Sequence, residues 1–272
     1  MSDFRDQVVL ITGASTGIGR ATAIAFREQG ARVALAARSA DVLARLAEEL
    51  GGPEWAMAIP TDVSDSAQCE RFVAESVAHF GRVDVLINNA GMIVSGYFDK
   101  LQPGDAECQF EVNFFGALHC TRAVLPHLKA SRGVVINISS VAGLIGAPTA
   151  SVYSASKAAM NAWARALRVE LQPFGVDVVT VCPYFTSGVQ LAQKGILREG
   201  SLHNRPGQKR RAPGTQTAEE VARAILHAAR RRPRIAVLSW AGKSIWLLDR
   251  LFPWLVDWTM TWGMRKALHE TQ

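Results

Sequence analysis

Tyr153 and Lys157 stand four residues apart, and Ser140 lies thirteen residues before the tyrosine. Residues four apart on an α-helix are separated by about 40° around its axis, so a phenol and an ammonium at this spacing share one face. A free phenol has a pKa of about 10 and exchanges protons poorly near neutrality. A neighbouring cation favours the phenolate, which predicts that Lys157 lowers the Tyr153 pKa toward a range useful for acid-base chemistry. The pair opens a helical pattern (Ala158, Ala159, Met160, Ala162, Trp163, Ala166, Leu167) soon after the apolar strand-like run Gly133-Val-Val-Ile-Asn-Ile138. A tyrosine in this role needs a hydride carrier to complete a reaction.

A site for such a carrier is legible near the other end of the chain. A buried-strand run at 8–11 leads into Thr12-Gly-Ala-Ser-Thr-Gly-Ile-Gly19, and a helical run at 21–29 follows. A glycine-rich turn between strand and helix lets backbone amides approach a pyrophosphate at the positive end of the helix dipole. The glycines fall at Gly13, Gly17 and Gly19, unlike the dinucleotide fingerprint whose first two glycines are only two apart. An unliganded turn is the competing reading, and the tyrosine–lysine pair weighs against it.

Strand-like runs recur at 8–11, 33–37, 56–59, 85–87, 134–138, 176–181 and 235–238, separated by segments of helix length. This alternation predicts an α/β fold: a single Rossmann-type doubly wound domain, with a seven-stranded parallel sheet and helices on both faces. The domain is expected over 1–239, with a substrate lid at 186–216 and a tryptophan-rich helical extension at 240–272. Ligands of such sheets bind beyond the carboxyl ends of the strands, and each piece named above falls at such an end or on the helix after it. The chain, 272 residues long, is within the range of one such domain.

With these residues in place, the chain resembles the short-chain dehydrogenase/reductase family from about 8 to 237. Five pieces agree in order and spacing: Thr12 to Gly19, Asn88-Asn-Ala-Gly91, Asn113, Ser140, and Tyr153 with Lys157. The resemblance implies hydride transfer on the pro-S face of a nicotinamide, with Tyr153 as the acid-base residue. Ser140 would donate a hydrogen bond to the substrate oxygen; its neighbour Ser139 lacks the family's spacing. Lys157 would also hydrogen-bond the nicotinamide ribose. Asn113, a poor helix-interior residue, would kink its helix and hold a water linking Lys157 to solvent. No metal is implied.

The same resemblance sets the cofactor contacts. Gly13, Ser15, Thr16, Gly17, Ile18 and Gly19 would cradle the phosphates. Asp62 and Val63 would border the adenine, and Asn89, Ala90 and Gly91 would flank the adenosine side, joined by Tyr153, Lys157, Pro183 and Thr186. Asn88 and Asn89 are polar at a strand end that ought to be buried, so a structural role suits them. An NAD site usually carries an acidic residue at the end of the second strand. This chain has Ala37 there and Arg38 next. A guanidinium pairs with a 2′-phosphate through two parallel hydrogen bonds, so NADP(H) is expected over NAD(H), with Ser39 and Ser15 as further donors. One departure stands out in Val181-Cys-Pro-Tyr-Phe-Thr-Ser-Gly188, where Tyr184 replaces the family's glycine after Pro183 and Thr186 falls early.

The substrate side is expected from the apolar segment 141–151, including Val141 and Leu144, from Tyr184, and from the polar and basic lid. A hydrophobic alcohol and its ketone or aldehyde fit this composition. The competing readings are a non-catalytic NADP-binding sensor and an enoyl-type double-bond reductase; the intact Asn113, Ser140, Tyr153 and Lys157 weigh against the first, and the unaltered tyrosine–lysine spacing against the second.

The formal charge of +6 raises nucleic acid as a partner, but its sources are scattered. The run Arg230-Arg-Arg232 closes a helix that a capping box starts at Thr217, and cations there complement the helix dipole. No nucleic-acid partner is expected. Four cysteines without paired spacing, and an N-terminus interrupted by Asp3, Arg5 and Asp6, point to a cytoplasmic protein. A homodimer or homotetramer is expected. The extension carries five tryptophans, with Lys243, Arg250 and Asp257 recurring every seven residues. Packing on a subunit or over the substrate mouth is favoured for it, since it lacks a run of cations; peripheral contact with a membrane surface is the alternative.

Overall fold

In the computed structural model, which describes residues 4–187, 195–202 and 212–269, the seven expected strands form one sheet. The chain runs β1 (Val8–Thr12), α1 (Gly17–Glu28), β2 (Arg32–Ala37), α2 (Ala40–Glu49), β3 (Ala56–Pro60), α3 (Ser66–Phe80), β4 (Val85–Asn88) and β5 (Val94–Ser95). Next come α4 (Asp105–Phe110), α5 (Gly116–Ser131), β6 (Val134–Ile138), α6 (Ala142–Ile145), α7 (Ser151–Leu171) and β7 (Asp177–Cys182). The short strands β8 (Thr186–Ser187), β9 (Ile196–Leu197) and β10 (Gln216–Thr217) precede α8 (Ala218–Arg231), β11 (Ile235–Val237), α9 (Trp240–Leu251) and α10 (Pro253–His269).

The large sheet has the order β11-β7-β6-β4-β1-β2-β3 and is parallel throughout. Successive strand residues point to opposite faces, and both faces are covered. Val9, Ile11, Val33 and Leu35 join Phe26 of α1, Leu43 of α2 and Ile225 of α8 in one layer. Val8, Leu10 and Ala34 join Phe72 of α3, Val124 of α5 and Leu167 of α7 in the other. Strands buried on both sides read as unbroken apolar runs, which is why they were legible without alternation. Each fully buried phenylalanine or leucine contributes about 1.5–3 kcal/mol.

β1 is paired to both β2 and β4, with Ile11 in register with Leu35 on one side and Ile87 on the other. The order of connection reverses there, so a crevice opens at the carboxyl ends of β1 and β4. The capping box of α8 forms as expected, Thr217 accepting from Glu220 N while Glu220 accepts from Thr217 N. Two cations of the basic run at the end of α8 are spent within the molecule: Arg232 donates to Arg132 O at 3.0 Å and pairs with Asp177 at 3.3 Å, and Arg230 bonds Gln29.

The extension is helical, and α9 seats closely on the domain. Gly242 leaves room for that approach, because a Cβ there would lie 3.2 Å from Val141 Cγ2 and 3.3 Å from Tyr184 Cβ.

Candidate active site

Gly13 begins the turn after β1 with φ 64°, a left-handed conformation that costs glycine nothing. A Cβ there would sit 2.9 Å from Ala90 Cα, so the two strand ends meet only because the side chain is missing. Asn89 closes the junction, its Nδ2 donating to Thr12 O at 2.9 Å and Gly13 O at 3.1 Å. Thr12 locks it further: its Oγ1 accepts from Asn89 N and Ala90 N, both at 3.0 Å, and donates to Ile87 O at 3.3 Å. Asn88 Nδ2 donates to Thr121 Oγ1 at 3.0 Å and Asn137 Oδ1 at 2.9 Å, tying β4 to β6 and α5. The structural role expected for both asparagines therefore holds.

Beyond this junction Gly17 starts α1, with Thr16 at its N-cap making no side-chain cap bond and no acidic residue in the first turn. Ser15, Thr16, Gly17 and Ile18 stay partly accessible beside the turn, while Gly19 is buried against it. Arg38 is exposed at the carboxyl end of β2, with Ser39 beside it and no ion pair of its own among the described residues. Asp62 is engaged in shaping its own turn, accepting from Ser64 N at 3.0 Å and Ser64 Oγ at 2.7 Å. Val63 is buried against Gly116.

Ser140, Tyr153 and Lys157 converge at the carboxyl end of β6. Lys157 Nζ donates to Ile138 O at 2.9 Å and lies 6.0 Å from the centre of the Tyr153 ring. The Ser140 hydroxyl faces the Tyr153 phenol and favours its ionised form, and its Oγ accepts from Ala142 N at 3.1 Å. Ser139 points the other way, donating to Lys157 O at 3.3 Å, which separates the two adjacent serines as their spacing implied.

The expectation that Lys157 lowers the Tyr153 pKa is overturned. Burial pushes the phenol up to about 12, and the Ser140 hydroxyl only partly opposes it. Lys157 moves the other way, down to about 8, again because burial penalises its charge, with Cys182 pulling slightly upward. Desolvation exceeds the attraction expected from the spacing. Cys182 is itself pushed up to about 12 by burial, and stays a neutral thiol beside them.

Asn113 sits in a π-helical turn, Glu111–Phe115, between α4 and α5. The expected irregularity of the helix is there, as an extra residue in the turn. Its side chain is committed within the protein: Nδ2 donates to Met92 O and Ser156 Oγ, both at 3.0 Å, and Oδ1 accepts from Met92 N at 2.8 Å. Ser156 passes the connection on, donating to Tyr153 O at 2.8 Å. Asn113 Oδ1 and Lys157 Nζ both border Gly91, where a Cβ would be 3.3 Å and 3.6 Å away.

The residues expected at the substrate side divide. Val141 is 1% exposed and packs with Cys182 and Val237, in the core rather than at an open surface. Leu144 and Tyr184 pack partly buried around it, together with Trp246 of α9. Tyr184 therefore takes the place of the expected glycine by turning its ring toward the extension and Phe185, whose ring centre is 4.7 Å away. Pro183 O accepts from Val141 N at 3.0 Å. Thr186 is engaged in the β8–β10 pairing, opposite Gln216.

Of the expected lid, 188–194 and 203–211 lie outside the described residues, and with them most of the basic stretch from Lys194 to Arg211. Between them β9 pairs with β5, which begins three residues after Gly91. Arg198 fixes it there with two hydrogen bonds to the buried Asp105 carboxylate, at 2.9 and 2.8 Å. That pairing holds the Asp105 carboxyl below the usual range. Sequence reasoning missed Thr12, Ser156 and this clamp. Thr12 carried a signal as a hydroxyl closing a buried strand; the clamp joins residues 93 apart and had none.

The comparisons with known proteins agree with this geometry. Residues 7–196 match the family described as short chain dehydrogenase. An 11-beta-hydroxysteroid dehydrogenase-like 2 of Arabidopsis thaliana is 41% identical over 185 residues, 66% of this chain and 59% of that protein. A short-chain dehydrogenase/reductase of Burkholderia phymatum, solved in complex with NAD, superposes with a TM-score of 0.81 at 26% identity, covering 94% of this chain and 96% of that one. An alcohol dehydrogenase of the archaeon Thermococcus sibiricus, complexed with 5-hydroxy-NADP, gives 0.71 at 27% identity over 85% of this chain and 94% of that one.

Proposed function

The chain belongs to the short-chain dehydrogenase/reductase family, and on that premise we propose that it is an NADP(H)-dependent oxidoreductase. It interconverts a hydrophobic alcohol and its ketone or aldehyde. The observation that carries this reading is the convergence of Ser140, Tyr153 and Lys157 at one strand end, with Lys157 bordering Gly91. A dinucleotide fits the crevice where side chains are missing, at Gly13 and Gly91, and where the first turn of α1 is free of acidic groups. Gly13 to Gly19 would hold its phosphates, and Lys157 its ribose. When bound, the nicotinamide supplies or accepts the hydride.

The rest of the chemistry belongs to the chain. Tyr153, neutral near pH 7 because burial holds its pKa at about 12, is a proton donor to the oxygen of a carbonyl being reduced. Ser140 steadies negative charge on that oxygen through its hydroxyl. Lys157, still protonated below about 8, offsets the phenolate left behind. In the oxidising direction Tyr153 takes the hydroxyl proton back. Asn113 holds Met92 and Ser156 in place beside these groups, and its π-turn is the proposed position for a water that connects Lys157 with solvent.

NADP preference rests on Arg38, exposed at the end of β2 without a competing carboxylate partner among the described residues. Solved relatives are described with both NAD and an NADP derivative, so the side chain is what favours one. The hydrophobic substrate is supported by apolar walls around Tyr153, formed by Ile93, Ala142, Ala147 and Ala150, and by the steroid dehydrogenase name of the Arabidopsis relative. A spectrophotometric screen of NADPH and NADP against steroid, retinoid, aromatic, sugar and aliphatic carbonyls and alcohols tests it. Turnover of apolar members is expected; turnover confined to sugars, or none with any carbonyl or alcohol, overturns the reading.

A further inference from the structure

The outer surface of the C-terminal extension exposes more large apolar side chains than any other part of the described chain. Trp240, Leu247, Leu251, Trp254, Trp258 and Trp262 are each 56–68% exposed. They are ordered, not scattered. At about 100° per residue, Trp240, Leu247 and Leu251 share one edge of α9, and Trp254, Trp258 and Trp262 form one stripe along α10. Patches of this kind on a folded protein mark an interaction surface.

The charges around the rings indicate what kind of surface covers them. Lys266 lies 5.8 Å from the ring centre of the exposed Trp262, and Arg250, itself exposed, lies 5.2 Å from the ring of Trp246 at the inner margin of α9. With Lys243 and Arg265, four cations accompany the rings among the described residues of the extension, against two carboxylates there, Asp249 and Asp257. Cationic heads beside indole rings match the boundary between acyl chains and anionic headgroups, where tryptophan is amphipathic and lysine or arginine reaches outward. No described helix is long and apolar enough to cross a membrane.

We propose that the outer face of α9 and α10 is a docking surface for an anionic phospholipid bilayer, on which the protein lies peripherally. A second copy of the chain is the poorer occupant. A two-fold pairing of this face would set its excess of cations against the same excess on its partner, whereas protein interface cores are depleted of charge. The opposite side of α9 packs on Val141 and Tyr184, next to Ala142 of the apolar wall beside Tyr153, so the dock adjoins the proposed active site.

The test is cosedimentation of the full chain with vesicles of phosphatidylcholine containing about one quarter phosphatidylserine, and with phosphatidylcholine alone. Binding to the mixed vesicles is expected, weakened by salt as charge screening requires. The triple variant Trp254→Ser, Trp258→Ser, Trp262→Ser should lower the partition coefficient at least about tenfold. Arg265→Glu with Lys266→Glu should remove the preference for phosphatidylserine. Circular dichroism and the thermal midpoint check that each variant is folded, and the exposed positions favour that. Wild-type protein that stays in the supernatant, or a folded triple variant that binds as well as wild type, overturns the proposal. So does a triple variant that changes only the sedimentation velocity, which would make the face a contact between copies. None of these outcomes bears on turnover, so the proposed reaction stands or falls separately.

Discussion

Lys157 Nζ donates to the main-chain carbonyl of Ile138 at 2.9 Å, so the ammonium on α7 is tied to the strand that delivers Ser140 two residues later. One hydrogen bond thereby sets the spacing between the helix carrying Tyr153 and the strand end carrying Ser140. It also accounts for a charge in a buried place: Lys157 is 4% exposed and keeps a carbonyl partner there. The chemistry proposed for these groups leads to four expectations.

Tyr153→Phe removes the proton donor and keeps the ring. Turnover should fall about 10²- to 10⁴-fold, the usual contribution of a positioned acid or base. Cofactor affinity, read by quenching of protein fluorescence, should change little. Turnover within a few-fold of wild type would remove Tyr153 from the mechanism.

The two directions of reaction should differ in pH dependence. Tyr153 remains protonated until about 12 and Lys157 until about 8. Reduction of a carbonyl, measured as kcat/KM, should be level near neutrality and decline as pH rises through about 8, where Lys157 loses its charge. Oxidation of an alcohol needs the phenolate and should rise toward alkaline pH. Identical profiles for the two directions would contradict these assignments.

Lys157→Met should abolish turnover while making the protein more stable. The buried lysine has a value of about 8 against 10.5 when free, so below about 8 the fold carries its charge at a cost. That cost is at most about 3 kcal/mol, the free-energy equivalent of the displacement. It fades as pH climbs from about 8 to 10.5, because the folded side chain is already a neutral amine while the unfolded one progressively loses its proton as well. Thermal midpoints across this window should show the variant's gain at neutral pH and its loss under alkaline conditions. A variant less stable than wild type at neutral pH would mean that the bond to Ile138 outweighs the burial.

Arg38→Asp replaces a partner for a 2′-phosphate with a group that repels it. The ratio of kcat/KM for NADP to that for NAD should fall by about 10- to 100-fold, as expected for loss of a charge-assisted hydrogen bond. An unchanged ratio would place the selectivity elsewhere. Arg38 is exposed, so the thermal midpoint should hardly move.

Several parts of this protein followed from the order of residues alone. Strands such as Val8–Thr12 and Val134–Ile138 are apolar on both faces, and the glycine turn interrupts them with residues whose missing side chains have only a few uses. The separation of Tyr153 from Lys157 places both on one helical face whatever surrounds that helix. These are local properties, set by backbone geometry and by the period of the pattern. The tertiary structure decided what depends on solvent and on distant neighbours. The Tyr153 pKa goes up rather than down, because burial among Ile93, Ala142, Ala147 and Ala150 outweighs a lysine whose own charge is penalised by burial as well. Val141 turns into the core because Gly242, about a hundred residues later, lets α9 close over it. Asp105 finds Arg198 across a gap of 93 residues. The cations of the extension form no run in sequence, yet folding sets two of them beside indole rings. Electrostatics and side-chain environment are sums over what lies nearby in space, and one-dimensional spacing records only the neighbours along a single element.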